Sequence, residues 1–536
     1  MAHSSWTVWL SAIALGLSGC GGLGLGNPDI TMGDDHDNAP TEATPSPVPP
    51  EVHRYDVIVY GDELPGVCAA IWAKRTLGEG AKVALVRPEE AEAMVGGLLT
   101  RGGLAYLDFD KTPRWYAQPF SECFLDFLEE ANVGESCVHP VRADEGMRRM
   151  LENAGVSLLS NARLEPVVEN GRIEYADVIG HNKRLEANSF IDTTQQAELA
   201  IAAGQPYYRG YESQAEELAQ STLGTSIVPI IEGLTIEELR QIEALFHDDP
   251  NWVAQIEESI YSRNDAAGSQ FWMSGFGFPL YQSYRDGYYF RSIAIGAAYH
   301  IDRDQPFSLQ GFFWDKANVC ELDERSLSWN GFLFKYDVDT IRAMEANRFQ
   351  PSAEMIEELR EVEAWLQEYS GNPDVEVILP PEIYVRHSVS VRDVIAPLSG
   401  REIMVGGTPV EDSIATFSYD FDFRGGVDGL SMRVPPLPQY NFGIEHGLSR
   451  SIENLAIAGR SSGYEGIAVS VGRINTKNVY HGQGLGVAAA LAQQQGVPLN
   501  QITSRQVREQ WDQMTERTTE LRGRVTADVT QYSEVR

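Results

Sequence analysis

The residues whose types and spacing suit chemistry begin with a glycine turn. Residues 61–66 read GDELPG, between an apolar run, Tyr55–Tyr60, and an alanine-rich apolar run, Val67–Ala73. That pattern asks for strand, tight turn and helix. Gly61 lets the chain turn sharply, and Gly66 lets helix and strand approach closely. The helix then offers unpaired N–H groups and a positive dipole end, which suit a pyrophosphate. A second strand, Ala81–Arg87, completes a strand–helix–strand unit of the dinucleotide-binding kind. Glu63 replaces the middle glycine of that fingerprint, and Arg87 stands where an acidic residue accepts hydrogen bonds from a ribose. Arginine cannot accept; it can stack on adenine or pair with a phosphate, which makes NADP a rival ligand. Alone, such a turn is nearly as often a buried βα unit without a nucleotide.

Other stretches must position that turn. Gly96-Gly97 and Gly102-Gly103 bracket an apolar segment, and paired glycines let backbone approach a flat ligand edge. Residues 151–192 read as short strands with a hairpin at Asn170-Gly171, the last delivering Asp192, Thr193 and Thr194 to a sheet edge. A capping box starts a helix at Thr235 with Glu238, and another starts one at Thr503 with Gln506. Gln270–Tyr336 is dense in aromatics, which fits a β-rich core better than a binding face. The run GQGLGVAAALA, Gly482–Ala492, is a helix with small side chains on most faces, suited to close packing on the first βα unit.

At 536 residues the chain can fill more than one core, and its formal charge of -35 argues against nucleic acid or anionic lipid as a partner. The five cysteines, Cys20, Cys68, Cys123, Cys137 and Cys320, contain no Cys-x-x-Cys, against an iron–sulfur cluster or zinc site. No metal site is expected. Cys123 and Cys137 can bridge if the chain is exported; otherwise they are two ordinary thiols. The apolar run Trp6–Leu17 is too short for a permanent membrane span. It leads into Leu17-Ser18-Gly19-Cys20, which resembles a bacterial lipoprotein signal, so 1–20 is read as a signal peptide and Cys20 as the lipid attachment. Gly21 after the cysteine points, by likeness to lipoproteins, to the outer membrane. Residues 21–54 have the composition of a disordered tether. The expected location is the bacterial cell envelope, on its periplasmic or extracellular face.

The order of VIVYGDELPG, GGLLTRGGLAYLD, FIDTTQQAELAIAAG and ENLAIAGRSSGYEG…GVAAALA resembles the FAD-dependent oxidoreductase family of glutathione-reductase-like bacterial flavoproteins. The resemblance implies an α/β fold: a Rossmann-like FAD-binding domain with an inserted α+β substrate domain. Its divisions are 55–204 and 441–495 for the FAD-binding domain, 205–440 for the insertion, and 496–536 for a C-terminal helical extension. It implies FAD as cofactor, with Gly61, Glu63, Leu64, Pro65 and Gly66 at the pyrophosphate and Gly96 and Gly97 at the flavin portion. Leu164 falls beside adenine, and Asp192 near the diphosphate or ribose. Gly459 and Arg460 end a strand against the cofactor, and His481 lies within reach of the flavin. Arg386, His387 and Arg392 are the candidate catalytic residues, with Tyr440 and His446 as further candidates by position. The implied activity is hydride transfer between FAD and an organic substrate, with an unknown electron acceptor or donor and the membrane as partners. The alternative is a non-catalytic extracytoplasmic binding lipoprotein on the same scaffold.

Overall fold

The computed structural model describes residues 49–109, 121–264 and 266–535. The signal, the lipid-attachment cysteine and the tether up to residue 48 lie outside them. Strand β1 (Glu51–Tyr60) begins four residues before the expected start, so Glu51–Arg54 belong to the sheet and not to the tether. It leads into helix α1 (Leu64–Leu77), whose first turn carries Pro65, and then β2 (Val83–Val86).

Four more strands complete most of the sheet: β3 (Ser157–Leu159), β4 (Leu164–Glu169), β5 (Arg172–Val178) and β6 (Lys183–Asp192). The order is β3-β2-β1-β6-β5-β4, and Leu455–Ile457 adds to β6. β1, β2, β3, β6 and the late strand run parallel. The Asn170-Gly171 hairpin forms as expected, both residues having positive φ, and joins antiparallel β4 and β5. The chain's two ends therefore share one sheet. Tyr60 faces Asp192, and Asp192 faces Ile457, so the loops after β1, β6 and the late strand leave the same edge. That edge lies beyond the carboxyl ends of parallel strands, where open α/β sheets place ligands.

The helix Asn475–Gln495 packs on α1. A Cβ on Gly482 would lie 2.2 Å from the Pro65 carbonyl oxygen, and one on Gly486 would lie 2.2 Å from that of Ala69. Two glycines one turn apart thus bring the helices to backbone contact.

A second sheet, antiparallel throughout, is built from segments between Thr225 and Ile378. Its aromatic residues, among them Trp314, Trp329 and Phe332, form a separate core with Trp365 of the helix Ala353–Ser370, as the composition suggested. Both expected capping boxes are present. Parts of the stretch 205–440 pack with the first sheet's core. Val389–Val391 pairs with Tyr207–Arg209, and Phe417 and Phe421 belong to the core around α1.

The cysteine pairing differs from expectation. Cys123 bridges Cys68 in α1, and Cys137 bridges Cys320 in the second sheet. The sequence left Cys123 and Cys137 as either a bridge or two ordinary thiols; the fold gives each a different, distant partner.

Candidate functional site

The glycine turn has the geometry its sequence requires. Gly61 has φ +108°, and a Cβ on Gly66 would lie 2.4 Å from Thr193 Oγ1. The Thr193 hydroxyl donates to the Gly61 carbonyl at 2.8 Å, tying the end of β6 to the turn. Glu63 occupies the N-cap position of α1, but its side chain does not cap the helix. It accepts instead from Nη2 of Arg460, which follows the late strand. Glu63 also lies over Gly97, where a Cβ would meet its Cγ at 2.7 Å. Around Gly459, by contrast, there is open space. The two ends of the body meet at this point through a buried ion pair.

Beside the turn lies a cavity of about 370 Å³, its open mouth included. Five carboxylates line it, from Asp62, Glu63, Glu89, Glu198 and Glu382, against two guanidiniums, from Arg101 and Arg348. Arg101 grips Asp62 through both terminal nitrogens, at 2.7 and 2.9 Å, and donates Nε to Glu382 at 2.5 Å. Burial penalises the Asp62 charge, but Arg101 and Arg87 outweigh it and hold that carboxyl below its usual range. Burial raises Glu63 despite Arg460, and it pushes Glu198 and Glu382 each up to about 7. Arg348, from the inserted lobe, donates to Glu89 and, at 3.2 Å, to Glu198.

Several residues singled out from the sequence have other roles here. Arg87 is not free for adenine or phosphate. It is fully buried and donates to Asp62, Ser160 and the carbonyls of Glu90, Ala91, Ala93 and Met94. The same spent guanidinium removes the basis for a 2′-phosphate of NADP at that position. Asp192 points inward and accepts from Thr194 and from the Ala200 N–H, fixing the turn after β6. Leu164 is a core residue packed with Tyr60 and Val86 and lines no cavity described here.

The candidate catalytic residues do not converge. Arg386 is buried and donates to the Gly224 carbonyl, Ser226 and Asn330. Burial lowers it to about 9. The ring of His387 contacts the Gly210 carbonyl at 3.0 Å, and burial lowers it to about 4. Arg392 is exposed and stacks on Tyr208. His481 is buried against His446, ring centroids 3.9 Å apart, and lines neither cavity. Tyr440 is buried in the same region, and His446 pairs with Lys477. Gly96 sits at φ +122° with the Met147 methyl group against it. Leu64 and Pro65 are buried in the first turn of α1.

A second, apolar cavity is lined by Leu98, Leu104, Tyr106, Tyr384 and the start of the late helix at Asn475 and Thr476. Asp108 adds a carboxyl that burial raises, and Arg473 donates to the Tyr384 hydroxyl at 3.2 Å. Sequence reasoning missed Asp62, Glu89, Arg101, Glu198, Arg348 and Glu382. A signal existed for Asp62 and Arg101: charged residues inside glycine-rich loops that a dinucleotide site keeps small.

A Rossmann-like sheet joined by both chain ends, with a glycine turn and helix N-terminus at its carboxyl edge, defines a dinucleotide-binding α/β protein. The chain belongs to the FAD dependent oxidoreductase family, whose profile matches residues 56–511. FAD is the cofactor of that family. No curated protein matches the chain. Similar solved structures include the myxobacterial chondrochloren halogenase, at 12% identity over 87% of this chain and 79% of that one, with a TM-score of 0.36. Another is p-nitrophenol 4-monooxygenase from Pseudomonas putida, at 10% identity over 90% and 92%, with a TM-score of 0.38. L-proline dehydrogenase from P. horikoshii gives 10% identity over 88% and 100%, with a TM-score of 0.34. No reaction is taken from likenesses this distant.

The family's backbone cradle is present, and its adenylate end is lined by both acidic and basic side chains. A pyrophosphate there would face Arg101 and Arg348 as well as five carboxyls, of which Asp62 is paired with Arg101 and Glu198 and Glu382 are raised to about 7.

Proposed function

We propose that the chain is an exported, lipid-anchored flavoenzyme that moves a hydride between FAD and an organic substrate. One observation carries this reading. At the junction of the two chain ends, Nε and Nη1 of buried Arg460 have no hydrogen-bond partner among the described residues. Gln195 Oε1 and Gln196 Nε2, on the loop beside it, are also unpaired. Buried donors and acceptors are costly when left unpaired, so their clustering at the carboxyl edge favours a polar ligand. The apolar cavity beside Leu98 and Tyr384 supports it with walls that exclude water. Two disulfides support an oxidising compartment and hence export.

The test is to purify the protein from the membrane fraction and record its visible spectrum with added FAD. Flavin bands that bleach on reduction are expected, and Cys20→Ser should release the protein from membranes. A colourless protein that takes up no flavin would refute the enzyme reading. The second reading, a binding lipoprotein without turnover, is favoured by the carboxylate-lined cavity and would then stand.

A further inference from the structure

The chemistry of the apolar cavity limits what it can hold. Its volume is about 320 Å³, mouth included, near the small end of the roughly 300–1,000 Å³ typical of ligand sites. Leu98, Leu104, Leu107 and Ile474 form its apolar wall. Among the described residues no lysine or arginine lines it, so an anion would lose its water without gaining a partner. The lining carboxyl, Asp108, is itself raised by burial, which disfavours its charge. The cavity adjoins the cradle: Leu98 follows Gly97 directly, and Arg460 lies over the ring of Tyr384, 5.5 Å from its centroid.

The lining hydroxyls are not equivalent. That of Tyr106 pairs with Ser283 at 3.1 Å, and that of Thr476 donates to the Asp108 carbonyl at 3.0 Å. Tyr384 differs. Arg473, which does not line the cavity, donates to the Tyr384 hydroxyl oxygen at 3.2 Å. Arginine only donates, so the phenol oxygen accepts there and keeps its own proton to give. Among the described residues no acceptor takes that proton. A buried donor left unpaired is unfavourable, so this one favours an acceptor inside the cavity. The ring is also held in place. The Tyr384 N–H donates to the Ser226 carbonyl at 2.8 Å, the Ser226 N–H donates back at 2.9 Å, and Arg386 lies over the ring, 4.5 Å from its centroid.

We infer that this cavity takes the apolar body of a small uncharged alcohol or carbonyl compound and that the Tyr384 hydroxyl donates to its oxygen. That this molecule is the substrate rests on the flavoenzyme reading above.

The test titrates full-length protein, with FAD added, against probes that share one ring: benzyl alcohol, acetophenone, toluene, benzoate and benzylamine. Binding is read by saturation-transfer NMR, and the flavin spectrum is recorded alongside. Wild type should bind benzyl alcohol or acetophenone roughly tenfold or more tighter than benzoate and benzylamine. Tyr384→Phe keeps the ring and removes the hydroxyl. It should weaken the preferred oxygen probe about fivefold and leave toluene unchanged. Leu104→Phe narrows the cavity and should weaken toluene and the oxygen probe together. Circular dichroism and a urea midpoint establish folding; if Tyr384→Phe does not fold, the charge series on wild type and Leu104→Phe decide. Benzoate or benzylamine binding as tightly as the oxygen probes would overturn the uncharged class. An unchanged oxygen probe in Tyr384→Phe, or an equal loss of toluene, would overturn the hydrogen bond. Binding of no probe at all would overturn the assignment of the cavity. The expected probe pattern in a protein that shows no flavin bands would keep the binding site and remove the flavoenzyme reading.

Discussion

At the residue scale, buried charge is handled in two ways. Arg101 and Asp62 are paired, whereas Glu243 in the inserted lobe has its carboxylate held mainly by the Leu280 N–H at 2.7 Å. Burial pushes Glu243 up to about 7 from an ordinary 4.5. A carboxyl raised on folding binds its proton more tightly in the native state. Its contribution is therefore whole below pH about 4.5 and is lost as pH rises through 7, in all roughly 3 kcal/mol. Glu243→Gln keeps the acceptor for Leu280 and removes the charge. Urea midpoints at pH 5 and pH 8 should show a markedly smaller fall for the variant than for wild type. Equal falls would show that Glu243 does not titrate in this way. The residue scale is also where sequence reading failed most: Arg87 was placed correctly at the strand end, yet its partners come from a loop that folds back over it.

At the element scale, the sequence was legible wherever a local rule governs. The Asn170-Gly171 turn, both capping boxes and the strand–turn–helix at Gly61 depend on neighbours a few residues away. The small-residue helix was legible in kind, and the fold supplies its reason in Pro65 and Ala69. Gly486→Leu must push backbone from backbone, because even its Cβ would sit 2.2 Å from the Ala69 carbonyl oxygen. We expect a loss of about 3 kcal/mol or more, seen as a lower urea midpoint. An unchanged midpoint would mean that the two helices can separate at little cost. The return of Val389–Val391 to Tyr207–Arg209, and of Phe417 and Phe421 to the core around α1, was not legible, because it joins segments far apart in the chain.

At the scale of the whole molecule, the Cys137–Cys320 bridge ties the segment just before the helix Pro140–Ala154 to the aromatic sheet of the inserted lobe, across 183 residues. Cross-links over long loops remove much denatured-state entropy, and each native bridge is typically worth about 2–4 kcal/mol. Exported protein, denatured and treated with a thiol reagent, should show four additional thiols only after reduction, and reduction should lower the urea midpoint. Labelling of all four without reductant would count against both bridges and against the compartment they support.

The sequence by itself determined the order of the βα unit, its turns and caps, the small-residue helix and the family. Each is written in residues close together or in motifs that keep their order. Only the tertiary structure decided which cysteines meet, where Arg87 spends its donors, and that Arg348 from the inserted lobe lies across Glu89. Those outcomes join residues separated by tens to hundreds of positions. Their energies come from burial and charge pairing, which no local spacing encodes.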